Sequence, residues 1–176
     1  MSEICMGKAI VIQGKYTNVD TAMGWYTGMD GLPPAEIASK FMSGTDPKIA
    51  KEAASGDILV GGRCFGYGKA HPSFFAALDY IGIKCICAES FSTQLVQGAL
   101  GAYGGSRKAP YLVECPDILD QIEMGDEIRV DYKTAVIENI TKGTVIQGKP
   151  FPEFCLHLME IGGQMEFVKE RVSEKK

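Results

Sequence analysis

The chemistry in this chain gathers on one short run, Phe65-Gly66-Tyr67-Gly68-Lys69-Ala70-His71-Pro72. Lys69 and His71 are both able to carry positive charge, and they flank a small residue directly ahead of a proline. Such groups suit two tasks. They can hold a carboxylate or phosphate. A lysine whose pKa is lowered by burial or by the positive end of a helix can also act as a base. Gly61, Gly62, Gly66 and Gly68 let the backbone turn tightly and approach a ligand with no Cβ in the way. Pro72 suits the first position of a helix continuing through Ser73-Phe74-Phe75-Ala76-Ala77-Leu78, and a helix N-terminus presents unpaired N–H groups and a partial positive charge to an anion. The alternative is a tight strand-to-helix turn with a solvated lysine and a packed or capping histidine, and residue types alone leave both open.

The spacing does not fit a nucleotide loop. Counting G-x-x-x-x-G-K back from Gly68-Lys69 puts Arg63 where the first glycine belongs. Reading G-x-G-x-x-G from Gly66 puts His71 in the third glycine slot.

The elements that must position this loop follow from the hydrophobic pattern. Ile58-Leu59-Val60, after Gly56-Asp57, is a short apolar run fit for a strand covered on both faces. The helix from Pro72 stops at Gly82, and residues 83–88 form a second strand with Cys85 and Cys87 on one face. Ser90 is placed to cap a helix running to Leu100. Upstream, residues 8–13 read as a first strand and 17–31 as irregular. A helix starts at Pro34, with Ile37 and Phe41 on one face. Asp46-Pro47 opens another, running to about Ala54. Beyond Pro110 the chain is strand-rich, over 111–114, 127–132 and 135–140, with a short helix at 116–123. A last helix over 152–161 carries His157 as a structural residue and stops at Gly162-Gly163; the charged tail from Lys169 is expected to fray. Interleaved strands and helices predict a single α/β domain spanning residues 1–176.

The composition narrows the partners. With 18 basic and 22 acidic residues scattered along 176, a net charge of −4 offers no nucleic-acid surface. No apolar stretch reaches the roughly 20 residues that span a membrane, and the first residues lack the basic and apolar regions of a signal peptide. A cytoplasmic location is expected. The 6 cysteines contain no C-x-x-C pair, so they read as reduced, packed thiols rather than as ligands of an iron–sulfur cluster.

Several segments match one family pattern in order. Gly56-Asp57-Ile58-Leu59-Val60, Phe65-Gly66-Tyr67-Gly68 and Ile81-Gly82-Ile83-Lys84-Cys85-Ile86-Cys87-Ala88-Glu89-Ser90-Phe91 follow G-D-I-I-V-A-G-x-N-F-G-x-G-S-S-R-E, a helix, then G-V-x-x-V-I-A-x-S-F-A-R. Fainter matches are Asn18-Val19-Asp20-Thr21, Asp46-Pro47-Lys48-Ile49-Ala50, Gly125-Asp126-Glu127-Ile128-Arg129-Val130-Asp131 and Gly148-Lys149-Pro150-Phe151-Pro152. On these residues the chain resembles the small subunit of 3-isopropylmalate dehydratase, the swivel domain of the aconitase superfamily. The resemblance implies a swivelling β/β/α barrel-like domain. It also implies the small subunit of a heteromeric hydro-lyase, inactive alone, that dehydrates or isomerises a hydroxy di- or tricarboxylate. An aconitase-like large subunit would hold a 4Fe-4S cluster, with no cofactor in this chain, and the isolated chain could self-associate. Backbone amides at Phe65, Gly66, Tyr67, Gly68 and Ala70 would hold a substrate carboxylate, with Lys69 and His71 as the catalytic pair. Trp25 and Tyr26 fall on the family's substrate-selecting loop and would favour an apolar substituent.

The polar residues depart from that pattern. The G-S-S-R-E slots read Gly68-Lys69-Ala70-His71-Pro72, so both serines and the arginine are replaced. The second family arginine falls on Thr93, and the R-N pair after it on Gln97-Gly98. Ser106-Arg107 stands in a longer loop that replaces a G-L-P turn. These departures carry an alternative: a catalytically inactive carboxylate-binding or regulatory homologue.

Overall fold

The computed structural model describes residues 4–14, 16–23, 31–68, 71–101 and 110–173, apart from the side chains of Asp20 and Thr21. Short apolar runs become strands and proline-led segments become helices. The order is β1 (Ile4–Val11), α1 (Val19–Ala22), α2 (Pro34–Ala38), α3 (Ile49–Glu52), β2 (Ile58–Gly61), α4 (Pro72–Ile81), β3 (Cys85–Ala88), α5 (Thr93–Gly101) and β4 (Tyr111–Glu114). A 3₁₀ turn (Ile118–Asp120) precedes β5 (Glu127–Asp131), β6 (Val136–Asn139), β7 (Thr144–Gln147), α6 (Glu153–Ile161) and α7 (Gln164–Ser173).

The strands form one 7-stranded sheet in the order β4-β3-β2-β1-β5-β6-β7. β1 joins its two halves. Its first residues, Ile4 to Lys8, pair antiparallel with β5, and its last, Ala9 to Val11, pair parallel with β2. β2, β3 and β4 continue in parallel, while β5, β6 and β7 form an antiparallel meander. The sheet curls into a half-barrel. The segment after β7 then reaches the β4 edge, where the Lys149 N–H donates to the Glu114 carbonyl at 2.6 Å.

Alternation along the parallel strands feeds two cores. Ile58, Val60, Cys85, Cys87 and Val113 point into the barrel with Ile128, Val130 and Ile137. Leu59, Ile86 and Leu112 point outward against Phe41, Phe74, Leu78 and Leu95. Both faces of these strands are therefore covered, which explains continuous apolar runs such as Ile58-Leu59-Val60.

Several elements differ from the sequence expectations. β1 starts at Ile4 rather than at residue 8. The segment 17–31 includes the single helical turn α1, and the helix expected over 116–123 contracts to a 3₁₀ turn. Asp46 does cap, accepting the Lys48 N–H at 2.9 Å, but regular helix starts only at Ile49 and ends at Glu52. β7 had no sequence signal because only Ile146 on it is buried. α7 continues past Lys169 to Ser173, although none of its residues is buried. Among the described helices, none is long and apolar enough to cross a membrane.

Candidate functional site

The loop that leaves β2 lies at the carboxyl ends of the parallel strands, the side on which open α/β sheets bind ligands. Its backbone is pinned at successive residues. The Cys64 N–H donates to Ser90 Oγ at 2.8 Å. The Phe65 N–H donates to the Ser90 carbonyl at 2.9 Å, the Gly66 N–H to the Thr17 carbonyl at 2.8 Å, and the Tyr67 N–H to the Cys64 carbonyl at 3.1 Å. In return Ser92 donates from its N–H to the Phe65 carbonyl at 3.0 Å and from its hydroxyl to the Gly66 carbonyl at 2.6 Å.

The amides of Phe65, Gly66 and Tyr67 thus donate within the fold. The Phe65 side chain is fully buried in the helix-side core. The glycines serve protein neighbours first. A Cβ on Gly61 would collide with the Phe65 ring, and one on Gly66 would come within 2.7 Å of Leu95 Cδ1. Gly66 has φ +78° and Gly68 φ +90°, backbone that L side chains rarely adopt, and a Cβ on Gly68 would meet the Asn18 amide.

Tyr67 and Gly68 are exposed at the rim. His71 occupies the N-cap position of α4 with φ −82° and ψ 151°, but its side chain makes no capping hydrogen bond. Pro72 has no N–H and that of Phe74 turns back to the His71 carbonyl at 3.2 Å, so neither supplies a donor to an anion at this helix start. Lys69, Ala70, Trp25, Tyr26, Ser106 and Arg107 lie outside the described residues.

The structure adds residues that the sequence reading passed over. The cap of α5 is Ser92, whose Oγ accepts the Leu95 N–H at 3.1 Å; Ser90, the expected cap, is held by the loop instead. Arg63 opens the loop with its side chain 56% exposed, and its Nε lies 3.3 Å from Oε2 of Glu89, a carboxylate only 14% exposed. Neither stood out in the sequence, because their partnership joins two separate strand ends.

Among the described residues no group of three His, Cys, Asp or Glu side chains is placed to hold a metal ion. A hydrogen bond with Cys85, then burial, raises the Cys5 thiol far above its ordinary pKa. For Cys85 the bond with Cys5 acts downward, but the bond with Cys87 and burial outweigh it. Burial pushes Cys115 up to about 11. With no metal bound, these thiols stay protonated near neutrality.

The arrangement defines a class before it defines a family: a curled mixed sheet with a pinned glycine loop at its parallel end, the swivel-domain architecture. A crystal structure of 3-isopropylmalate dehydratase from Methanocaldococcus jannaschii shares this fold with a TM-score of 0.83 over 98% of this chain and 99% of that one, at 24% identity. In sequence, the chain is 36% identical over 141 residues to the isopropylmalate/citramalate isomerase small subunit of the same organism, covering 80% of each. It is 34% identical over 167 residues to the 3-isopropylmalate dehydratase small subunit of Caldicellulosiruptor saccharolyticus, covering 91% of this chain and 92% of the relative. The corresponding subunit of Methanosarcina mazei is 36% identical over 142 residues, covering 81% and 83%. No family model matches the chain. The chain belongs to the family of 3-isopropylmalate dehydratase small subunits.

Proposed function

We propose that this chain is the small subunit of a two-subunit hydro-lyase acting on a 2-hydroxy dicarboxylate of the 3-isopropylmalate or citramalate type. The observation that carries this reading is likeness to small subunits so named, at 34% identity over 91% of the chain. An aconitase-like large subunit would complete the site and carry the 4Fe-4S cluster. Such a cluster, when bound there, supplies a Lewis acid to the substrate hydroxyl.

This chain's share is to close the site and hold a substrate carboxylate with residues Gly68, Lys69, Ala70 and His71. With no serine in the family's catalytic slot, Lys69 or His71 takes the proton from the carbon beside a carboxylate, and the other stabilises the charge. Either suits the role if the closed interface excludes water, since desolvation favours the neutral base. Trp25 and Tyr26 would favour an alkyl-substituted substrate over a bare one.

Reconstituting the pair and following formation of the unsaturated acid tests this directly. Lys69→Ala is expected to raise KM about tenfold or more, the loss of one charge-assisted hydrogen bond worth roughly 1.5–3 kcal/mol. His71→Ala is expected to lower kcat. The isolated small subunit is expected to bind no iron and to show no turnover. A wild-type pair that turns over neither 3-isopropylmalate nor citramalate would reject the hydro-lyase reading in favour of an inactive homologue.

A further inference from the structure

We propose that Arg63 binds a carboxylate of the substrate and that Glu89 positions it; this deepens the hydro-lyase reading and rests on it. The starting point is the state of the loop backbone. The N–H groups of Cys64, Phe65, Gly66 and Tyr67 are all taken, by Ser90 Oγ at 2.8 Å and by carbonyls at 2.9, 2.8 and 3.1 Å. An anion arriving at these four residues is therefore met by side-chain cations rather than by their amides.

Among the described arginines, Arg63 is the one that the fold presents there. It follows the carboxyl end of β2, and its backbone forms a parallel bridge with Tyr16, so the stem is fixed at the strand ends. Glu89 follows the end of the neighbouring strand β3, and its N–H donates to the Gly61 carbonyl at 3.2 Å. That bond places the carboxylate of Glu89 against Nε of Arg63 at 3.3 Å. A planar guanidinium contacted at Nε still carries two terminal nitrogens, a pair that matches the two oxygens of a carboxylate. The other described arginines are committed elsewhere. Arg129 pairs with Glu138 at 2.6 Å, and Arg171 lies over the Phe167 ring at 5.2 Å.

A purely structural ion pair is the competing account. A pair whose arginine is 56% exposed contributes little to stability. The two accounts therefore separate on KM, which substrate binding moves and a weak structural pair leaves unchanged.

The test uses the two-subunit complex with citramalate and 3-isopropylmalate as probes. Arg63→Gln is expected to raise KM about tenfold or more while kcat stays within about threefold, with the melting temperature of the complex unchanged. Arg63→Lys keeps the charge without the fork and recovers only part of the loss. Glu89→Gln is expected to raise KM by about threefold, and this effect disappears when Arg63 is already glutamine, as coupling through Arg63 requires. A KM within about twofold of wild type in Arg63→Gln overturns the inference, as does a loss that tracks a lowered melting temperature. Where the wild-type pair shows no turnover, the hydro-lyase reading fails and calorimetric titration of citramalate decides this one separately. Weaker binding by Arg63→Gln supports it, and equal affinity or no binding to either form overturns it.

Discussion

Gly66 ties the loop to α5, and replacing it with alanine tests that account quantitatively. Two costs add. Its φ of +78° is left-handed, which costs a residue with a Cβ roughly 1–2 kcal/mol. The new Cβ would also lie 2.7 Å from Cδ1, 2.8 Å from Cβ and 3.0 Å from Cγ of Leu95. Leu95 is fully buried, and its Cβ cannot swing aside as a flexible tip would, so overpacking adds about 1–3 kcal/mol. Yielding would also strain the bonds from Gly66 N–H to the Thr17 carbonyl at 2.8 Å and from Ser92 Oγ to the Gly66 carbonyl at 2.6 Å. The sum is about 3 kcal/mol, or a fall in melting temperature of roughly 6–12 °C for a chain of this size. Urea and thermal unfolding followed by circular dichroism measure it. Gly143→Ala is the control: φ is +67° but nothing lies within 4 Å of its Cβ, so only the backbone cost remains. If the two variants lose the same stability, the Leu95 contact does not hold this loop.

Ser92→Ala should cost about 1–2 kcal/mol in urea unfolding, because one hydroxyl both caps α5 and binds the Gly66 carbonyl. Asp126 has its pKa lowered, first by the Glu123 N–H and then, against burial, by Asn139 and Lys142. Its contribution is present above the ordinary value of 3.8 and is lost as pH falls through the lower folded value, so wild-type stability should drop more steeply below about pH 4 than that of Asp126→Asn. Unfolding midpoints measured from pH 7 down to about 3 check this, and parallel curves would count against it. Replacing Met165, Val168 and Val172 of α7 together with serine should leave stability of the isolated chain within about 0.5 kcal/mol, since all three are exposed.

Local signals in the sequence determined a good part of this protein. Pro72 and Gly82 bound α4 because each acts on its own backbone, one by a fixed φ and the other by a left-handed φ of +92°. Leu112-Val113 of β4 and the core of β2 are legible because strand positions buried on both faces must be apolar. The family pattern was also legible, being a matter of residue type and order. Tertiary structure decided what depends on partners far along the chain. Ser90 and Ser92 are chemically equal candidates for the α5 cap, and the choice falls to Ser92 because the loop 26 residues upstream claims Ser90. No local pattern shows that the glycine-loop amides are spent on Thr17 and Ser90, or that Glu89 orients Arg63. The glycines could equally have served a ligand or a neighbouring side chain, and only the packing of Phe65 and Leu95 against them separates the two. Sequence sets the local backbone preferences, but a hydrogen-bond donor is assigned only when the acceptor arrives, and here the acceptors come with other elements of the fold.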